Sequence, residues 1–327
     1  MIEKLNTYRI LIAVVVISLF SIAEAQLPGA MPPIAILEPG LAKNICNDGV
    51  RQGLRALGYA EGQNLLIQSR YAEWNSERLQ RLAGELIELK PQLIWTHSLA
   101  AIRAVRAATT TIPIVVGVSR NLVELGIVSS LAHPGGNITG MDLRDSEIIG
   151  KRLELTKESL PKASRLAVLV DPSDPGHRSI PKNMEEEARA LRVQLQRVEA
   201  RGPEAFEQAF GAIAQEHADA LILPESAMFS QHRQRIFKIA TSKRLPTVAG
   251  GSHFAEAGSL ISYGASVMDV CQRSAFYIDR ILKGARPAEL PVERPMKFQL
   301  AINLRTAKQI GLTIPPNLLA RADRVIR

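Results

Sequence analysis

The amino-acid sequence predicts an α/β protein of two doubly wound parallel-sheet lobes, joined by a hinge that the chain crosses more than once. Three observations carry that expectation. Short apolar runs rich in β-formers alternate with amphipathic stretches of helical period along most of the chain. The runs number about ten, too many for one tidy sheet but suited to two. A further strand–helix–strand–helix tail follows the second series, so the chain must thread back through both lobes.

The elements follow in order. Lys4 and Arg9 flank the start of the apolar run "ILIAVVVISLFSIA", and Ala23-Glu24-Ala25 offers small residues at the two positions a signal peptidase reads. Residues 1–25 are therefore expected to be a cleaved secretory signal. The run is shorter than the ~20 apolar residues a membrane span needs, and no cysteine follows it that a lipid could modify. "PIAILE" (33–38) reads as a strand ended by Pro39-Gly40, and Cys46, Val50, Leu54 and Leu57 then share one helix face. "NLLIQSRYA" (64–72) is a strand, and Leu79, Leu82, Leu86 and Leu89 mark the next helix. "QLIWT" (92–96), an Ala-rich helix from about 98 and "IPIVVGV" (112–118) complete the first series.

The glycine-rich stretch "LAHPGGNITG" (131–140) lies between the two series. It lacks the G-x-G-x-x-G fingerprint and the Gly-Lys-Ser/Thr end of a P-loop, so it is read as the crossing from one lobe to the other. Asn137-Ile138-Thr139 fits a glycosylation sequon, which has no force in a bacterial periplasm. Beyond it, helix 145–160, "SRLAVLV" (164–170), helix 180–192, "VQLQRVEA" (193–200) and helix 203–215 resume the rhythm. "DALILP" (219–224), helix 230–243 and "LPTVAG" (245–250) end the second series. "GSLISYG" (258–264) is strand-like, and a helix from about 266 carries Val267, Cys271, Ala275, Ile278 and Leu282 on one face. Pro287, Pro291 and Pro295 keep the next segment extended by fixing φ and withholding donors. A last strand and short helix fall in 297–316.

The chain has 327 residues, 46% of them hydrophobic, and a net charge of +8, which removal of residues 1–25 leaves unchanged. Lys and Arg are interspersed with Glu and Asp and aromatics are sparse, so the patch a polyanion needs is missing and no nucleic-acid partner is expected. Cys46 and Cys271 would enter an oxidising compartment as one disulfide or as two buried thiols. No CxxC, Cys/His cluster or His pair has metal-ligand spacing, so neither a metal nor a cofactor is expected.

Parallel α/β sheets bind ligands at the carboxyl ends of their strands. Those ends carry Glu38, Thr96-His97-Ser98, Ser119-Arg120-Asn121, Asp171-Pro172-Ser173, Pro224-Glu225-Ser226 and Gly250-Gly251-Ser252, with Tyr263 near the last crossing. Short polar side chains and exposed amides suit a small polar ligand, and the guanidinium of Arg120 offers a fork for a ligand carboxylate. Enzyme chemistry is less well supported. No G-x-S-x-G elbow exists, and Glu38 with Glu225 could be a paired-carboxylate site, but no aromatic platform for a sugar ring accompanies them. His133, His177, His217, His232 and His253 are read as surface residues.

Several segments taken together resemble the ABC-transporter substrate-binding proteins of the family that includes tryptophan and aromatic amino-acid binders. They are "GLRALGYAEGQNLLIQSRYAE" (53–73), "TIPIVVGV" (111–118), "GIVSSLAHPGGNITGM" (126–141), "GKRLELTKESLPKASRLAVLVDP" (150–172), "SYG" (262–264) and the whole of 281–323. The resemblance implies the type I periplasmic-binding-protein fold and a periplasmic receptor, a monomer. Such a receptor captures a small polar solute by lobe closure and delivers it to a membrane permease. A ligand-sensing partner of a membrane signalling protein would use the same fold and cleft. The resemblance also implies one lobe of 31–141 with 258–286, and a second of 142–257 with 287–327. Relatives that bind amino acids tend to carry Thr-Pro where this chain has Leu99-Ala100, Asp-Pro where it has Asn121-Leu122, and Asn where it has Asp171. The ligand-facing set expected here is Glu38, His97, Ser98, Arg120, Asn121, Asp171, Glu225, Gly251 and Tyr263.

Overall fold

The computed structural model describes residues 31–143, 145–174, 177 and 182–327. The expected signal segment, 1–25, lies outside the described residues. Two separate sheets form. The first contains β1 (Pro33–Glu38), β2 (Leu66–Tyr71), β3 (Leu93–Thr96), β4 (Ile114–Arg120) and β5 (Ile138–Leu143) in the order β2-β1-β3-β4-β5, all parallel. In β1, residues Ile34 to Glu38 are all buried. A strand covered on both faces by helices carries apolar residues at every position, so it reads as a continuous run and not as an alternation.

One face of this sheet is covered by α1 (Ile45–Ala56), the other by α2 (Ser76–Glu88) and α3 (Leu99–Ala108). Each helix starts where a side chain satisfies its first amides. Asn44 accepts from Cys46 N and Asn47 N at 3.1 and 2.8 Å, and Asn75 accepts from Arg78 N at 2.8 Å. The expected stripe of α2 faces inward through Leu79, Leu82 and Leu86.

The second sheet holds β6 (Arg165–Val170), β7 (Gln194–Glu199), β8 (Ala220–Leu223), β9 (Thr247–Ala249), β10 (Ile261–Gly264), β11 (Gln299–Asn303) and β12 (Arg324–Ile326). Its order is β12-β11-β10-β9-β8-β6-β7, parallel except for the β10–β11 pair. Helices α4 (Asp145–Ser159) and α5 (Lys182–Ala190) pack on one face. The other carries α6 (Phe206–Gln215), α7 (Ala227–Gln231), α8 (Arg233–Ser242) and α9 (Ser252–Ala257). Helix α10 (Val267–Leu282) returns to the first sheet and packs on α1, where Cys46 and Cys271 form a disulfide. Short helices α11 (Leu304–Ile310) and α12 (Pro316–Ala320) join β11 to β12. Among the described residues no helix is long and apolar enough to cross a membrane.

One expectation changes. The stretch "GGNITG" leads into β5, the edge strand of the first sheet, and the crossing follows that strand. Its six residues are all buried, although Thr139, Gly140 and Asp142 interrupt the apolar pattern that would have marked a strand. In the segment 258–286 the chain meets both sheets. Its strand, β10, pairs in the second sheet, and only α10 lies on the first. The segment after α10 contacts the first sheet at β5. Glu293 bridges to Met141 and donates its amide to Gly140 O at 3.0 Å. The chain therefore passes between sheets after β5, after β10 and before β11.

Candidate functional site

Both sheets contain the same topological feature. In the first, β1 and β3 lie side by side while the chain leaves them toward opposite edges; in the second, β6 and β8 do the same. At such a switch point the segments leaving the carboxyl ends diverge and open a crevice. The two crevices face each other and form a cleft of about 720 Å³ including its solvent-open mouth.

The wall from the first lobe is built around Glu38, which is fully buried at the end of β1. Its Oε2 accepts from Asn44 Nδ2 at 2.9 Å and lies 2.8 Å from His97 Nε2. A carboxylate oxygen only accepts, so His97 Nε2 carries the hydrogen in that contact. Among the described residues Glu38 Oε1 has no hydrogen-bond donor. Asn44 thus caps α1 with its oxygen and holds Glu38 with its amide, which fixes both side chains. Ser98, at the end of β3, caps α3 through Oγ, 3.4 Å from Ala101 N, with a backbone φ of 69°. Trp74 follows β2 with a φ of 66°. Its indole lies against Gly40, where an added Cβ would come within 2.2 Å of the ring, so only glycine admits this approach. Positive φ in two non-glycine residues on one wall is backbone strain of the kind that gathers at ligand sites.

The opposite wall comes from the second lobe. Glu225 is buried beyond β8, and its Oε1 accepts from Gly251 N. Ser226 caps α7 with Oγ 3.5 Å from Phe229 N. Ser230 Oγ lies 3.1 Å from His253 Nε2, and Arg233 Nη1 donates to Ser230 O at 2.6 Å. Burial, assisted by the Arg233 charge, pushes the His253 imidazole down to about 3. Asp171, after β6, opens onto an adjoining recess; burial raises its carboxyl above the usual range, against hydrogen bonds from Ser173.

Among the described residues, Arg120 and Trp74 both reach across the cleft. Arg120 at the end of β4 pairs with Asp174, Nη2 to Oδ2, at 2.8 Å, and its Nη1 lies 2.9 Å from His177 Nε2. Trp74 packs onto the Phe206 and Phe229 cluster of the second lobe and sits 6.4 Å, ring to ring, from His232. The lobes are thus drawn together.

Of the residues singled out in the sequence, Glu38, His97, Ser98, Arg120 and Glu225 line the cleft, and Asp171 lines the adjoining recess. Asn121, Gly251 and Tyr263 do not line either. Asn121 follows Arg120 with a φ of 55°, Gly251 donates its amide to Glu225, and Tyr263 on β10 stacks on Phe298 while its carbonyl accepts from Arg152 Nε at 2.8 Å. Arg120 already holds a protein carboxylate. His177 and His253, read as surface residues, are buried to 3% and 4% exposure. Asn44, Trp74 and Asp174 were missed. Trp74 follows β2, whose carboxyl end carries none of the residues singled out, and Asp174 stands three residues beyond Asp171. Asn44 gives itself away only as a helix cap.

The chain matches a family model described as ABC transporter substrate binding protein over residues 34–326. It is 24% identical over 264 residues to a tyrosine-binding protein of Clostridioides difficile, covering 81% of this chain and 76% of that one. A crystal structure of a conserved domain protein from Vibrio cholerae is similar at 26% identity with a TM-score of 0.82, covering 90% of this chain and all of that one. An ABC domain from Streptococcus pneumonia, solved in complex with L-tryptophan, is similar at 20% identity with a TM-score of 0.83, covering 91% and 100%.

Proposed function

The chain belongs to the ABC transporter substrate binding protein family, and on that premise we propose that it is a periplasmic receptor for a small, polar, amino-acid-like solute. It captures the solute between its lobes without altering it and delivers it to a membrane permease. The observation that carries this reading is the cleft itself, where polar side chains from the switch points of both lobes face one space. Neither wall alone encloses a solute, so capture requires closure, and the three passages between sheets supply the hinge. By sheet membership and contact we assign 33–143 with 267–298 to one lobe and 145–264 with 299–326 to the other.

Glu38, His97, Ser98 and Glu225 are the proposed contacts to the solute. Arg120 acts as the clasp between lobes, and Asp171 orients the loop that presents Asp174, through bonds from Ser173 and the Asp174 amide. Asn121, Gly251 and Tyr263 support the walls from behind.

A thermal-shift screen of the purified protein against amino acids, carboxylates, purines, sugars and peptides tests the reading. A solute at 100 times its Kd stabilises the protein by about 2.7 kcal/mol, which for a chain of this size is a shift of ~4 °C. The solute is expected back unchanged. A hit that is consumed, or no hit across the panel, would overturn the receptor reading.

A further inference from the structure

Glu38 is the most enclosed charge-bearing group on the cleft wall, and its two oxygens differ in a way the fold explains. The side chain is 0% exposed. Oε2 is held from two sides, by Asn44 Nδ2 and by His97 Nε2, at 2.9 and 2.8 Å. Oε1 has no donor among the described residues, although the residue lines the cleft. A buried carboxylate oxygen without a donor is costly, and a protein that builds two bonds to one oxygen has the means to satisfy the other. The residues that could do so are already committed elsewhere: the Ser98 amide donates to Val118 O and its Oγ caps α3. The remaining donor must come from the cleft.

We propose that Glu38 Oε1 is the seat of a protonated amine, and that the solute this receptor selects is recognised first by that positive charge. This rests on the receptor reading above and deepens it. Another atom on the same wall agrees: Trp74 Nε1, a donor, is buried without an acceptor among the described residues. A small ammonium compound bearing an acceptor group near its nitrogen satisfies both atoms at once. A carboxylate or a phosphate without an amine would instead face Glu38 at short range, where like charge is repelled in a poorly solvated site. Glu38 lies on the first lobe and Glu225 on the second, so a cation between them favours closure, whereas an anion opposes it.

The test uses matched sets of probes on the purified protein. Each amino acid is titrated by calorimetry beside its decarboxylated amine, its deaminated acid and its N-trimethyl derivative, with sugars, purines and peptides alongside. The amine-bearing members of the binding set are expected to bind; the deaminated acid and the trimethyl derivative, which lacks N–H donors, should bind at least about 30-fold more weakly. Glu38→Gln, checked by its melting curve, should weaken the amine by a similar factor while leaving a compound that binds without an amine unaffected. A deaminated or trimethylated compound that binds as tightly as its parent amine would overturn the seat while leaving the receptor reading intact, and needs no variant to be seen. A folded Glu38→Gln that keeps affinity within about threefold would do the same. Failure of every compound in the panel to bind would overturn both readings together.

Discussion

Replacing Cys46 and Cys271 by alanine removes a cross-link whose ends are 225 residues apart in the chain. The bond joins α1 to α10, and the loop it closes contains β6 to β10 of the second sheet. In the chain-entropy model a loop of that length restricts the unfolded ensemble by about 5 kcal/mol at 25 °C, and removal of native disulfides typically costs ~2–5 kcal/mol. Both cysteines are essentially buried, at 2% and 0% exposure, and the alanine methyls forfeit some sulfur packing as well. A loss of about 3–5 kcal/mol follows. With an unfolding entropy near 2.1 cal/mol/K per residue over roughly 300 residues, that lowers Tm by ~5–8 °C. The assay is calorimetric melting of the wild type with and without dithiothreitol, beside the Cys46→Ala/Cys271→Ala protein, with alkylation and mass spectrometry counting thiols. Reduced wild type and the double variant should melt together, and the variant should ignore the reductant. If alkylation shows both thiols freed and Tm moves by less than about 1 °C, the entropic reasoning is wrong.

Gly140→Ala should destabilise the fold by about 3 kcal/mol, because φ is +133° there and a Cβ would come within 2.2 Å of Val116 O; a urea midpoint shift under about 1 kcal/mol would refute the close-approach argument. Arg120→Met should loosen the closed form: the radius of gyration in small-angle scattering rises and the affinity of any solute found by screening falls about tenfold. A double-mutant cycle with Asp174→Asn should give a coupling of about 1–2 kcal/mol, and simple additivity would remove the clasp. His253, pushed down to about 3 by burial and then by Arg233, binds fewer protons folded than unfolded between about pH 3 and 6.5, so its contribution is intact above 6.5 and is lost as pH falls through that window. From pH 8 to pH 5 this amounts to about 2 kcal/mol, and His253→Gln should flatten the urea-derived stability curve there; parallel curves would show the imidazole is not the cause.

Much of the fold was legible because its signals are local. An apolar run such as Ile34–Leu37 can satisfy its backbone and bury every side chain only in a sheet covered on both faces, and the leucine stripe of α2 can face only one way. Strand and helix alternation then implied parallel sheets, and the residues at strand ends implied where polar chemistry gathers. Strand β5 escaped because Thr139, Gly140 and Asp142 are buried for reasons outside their own segment: Thr139 Oγ1 donates to Leu290 O at 2.7 Å, and Asp142 meets Arg294 at 3.0 Å.

What the tertiary structure alone decided was strand order, and with it the site. A sequence names the residues at the ends of strands but carries no mark of which strands become neighbours, since that depends on non-local pairing of segments that are all equally apolar. Glu38 and His97 belong together because β1 and β3 are adjacent at a switch point, and Asp174 and Glu225 belong together because β6 and β8 are. Asn121, Gly251 and Tyr263 looked the same in one dimension but do not line the cleft, although Arg120, next to Asn121, does. The same holds for the charges: the sequence gives Arg120 no partner, and the fold brings Asp174 to it across 54 residues of chain.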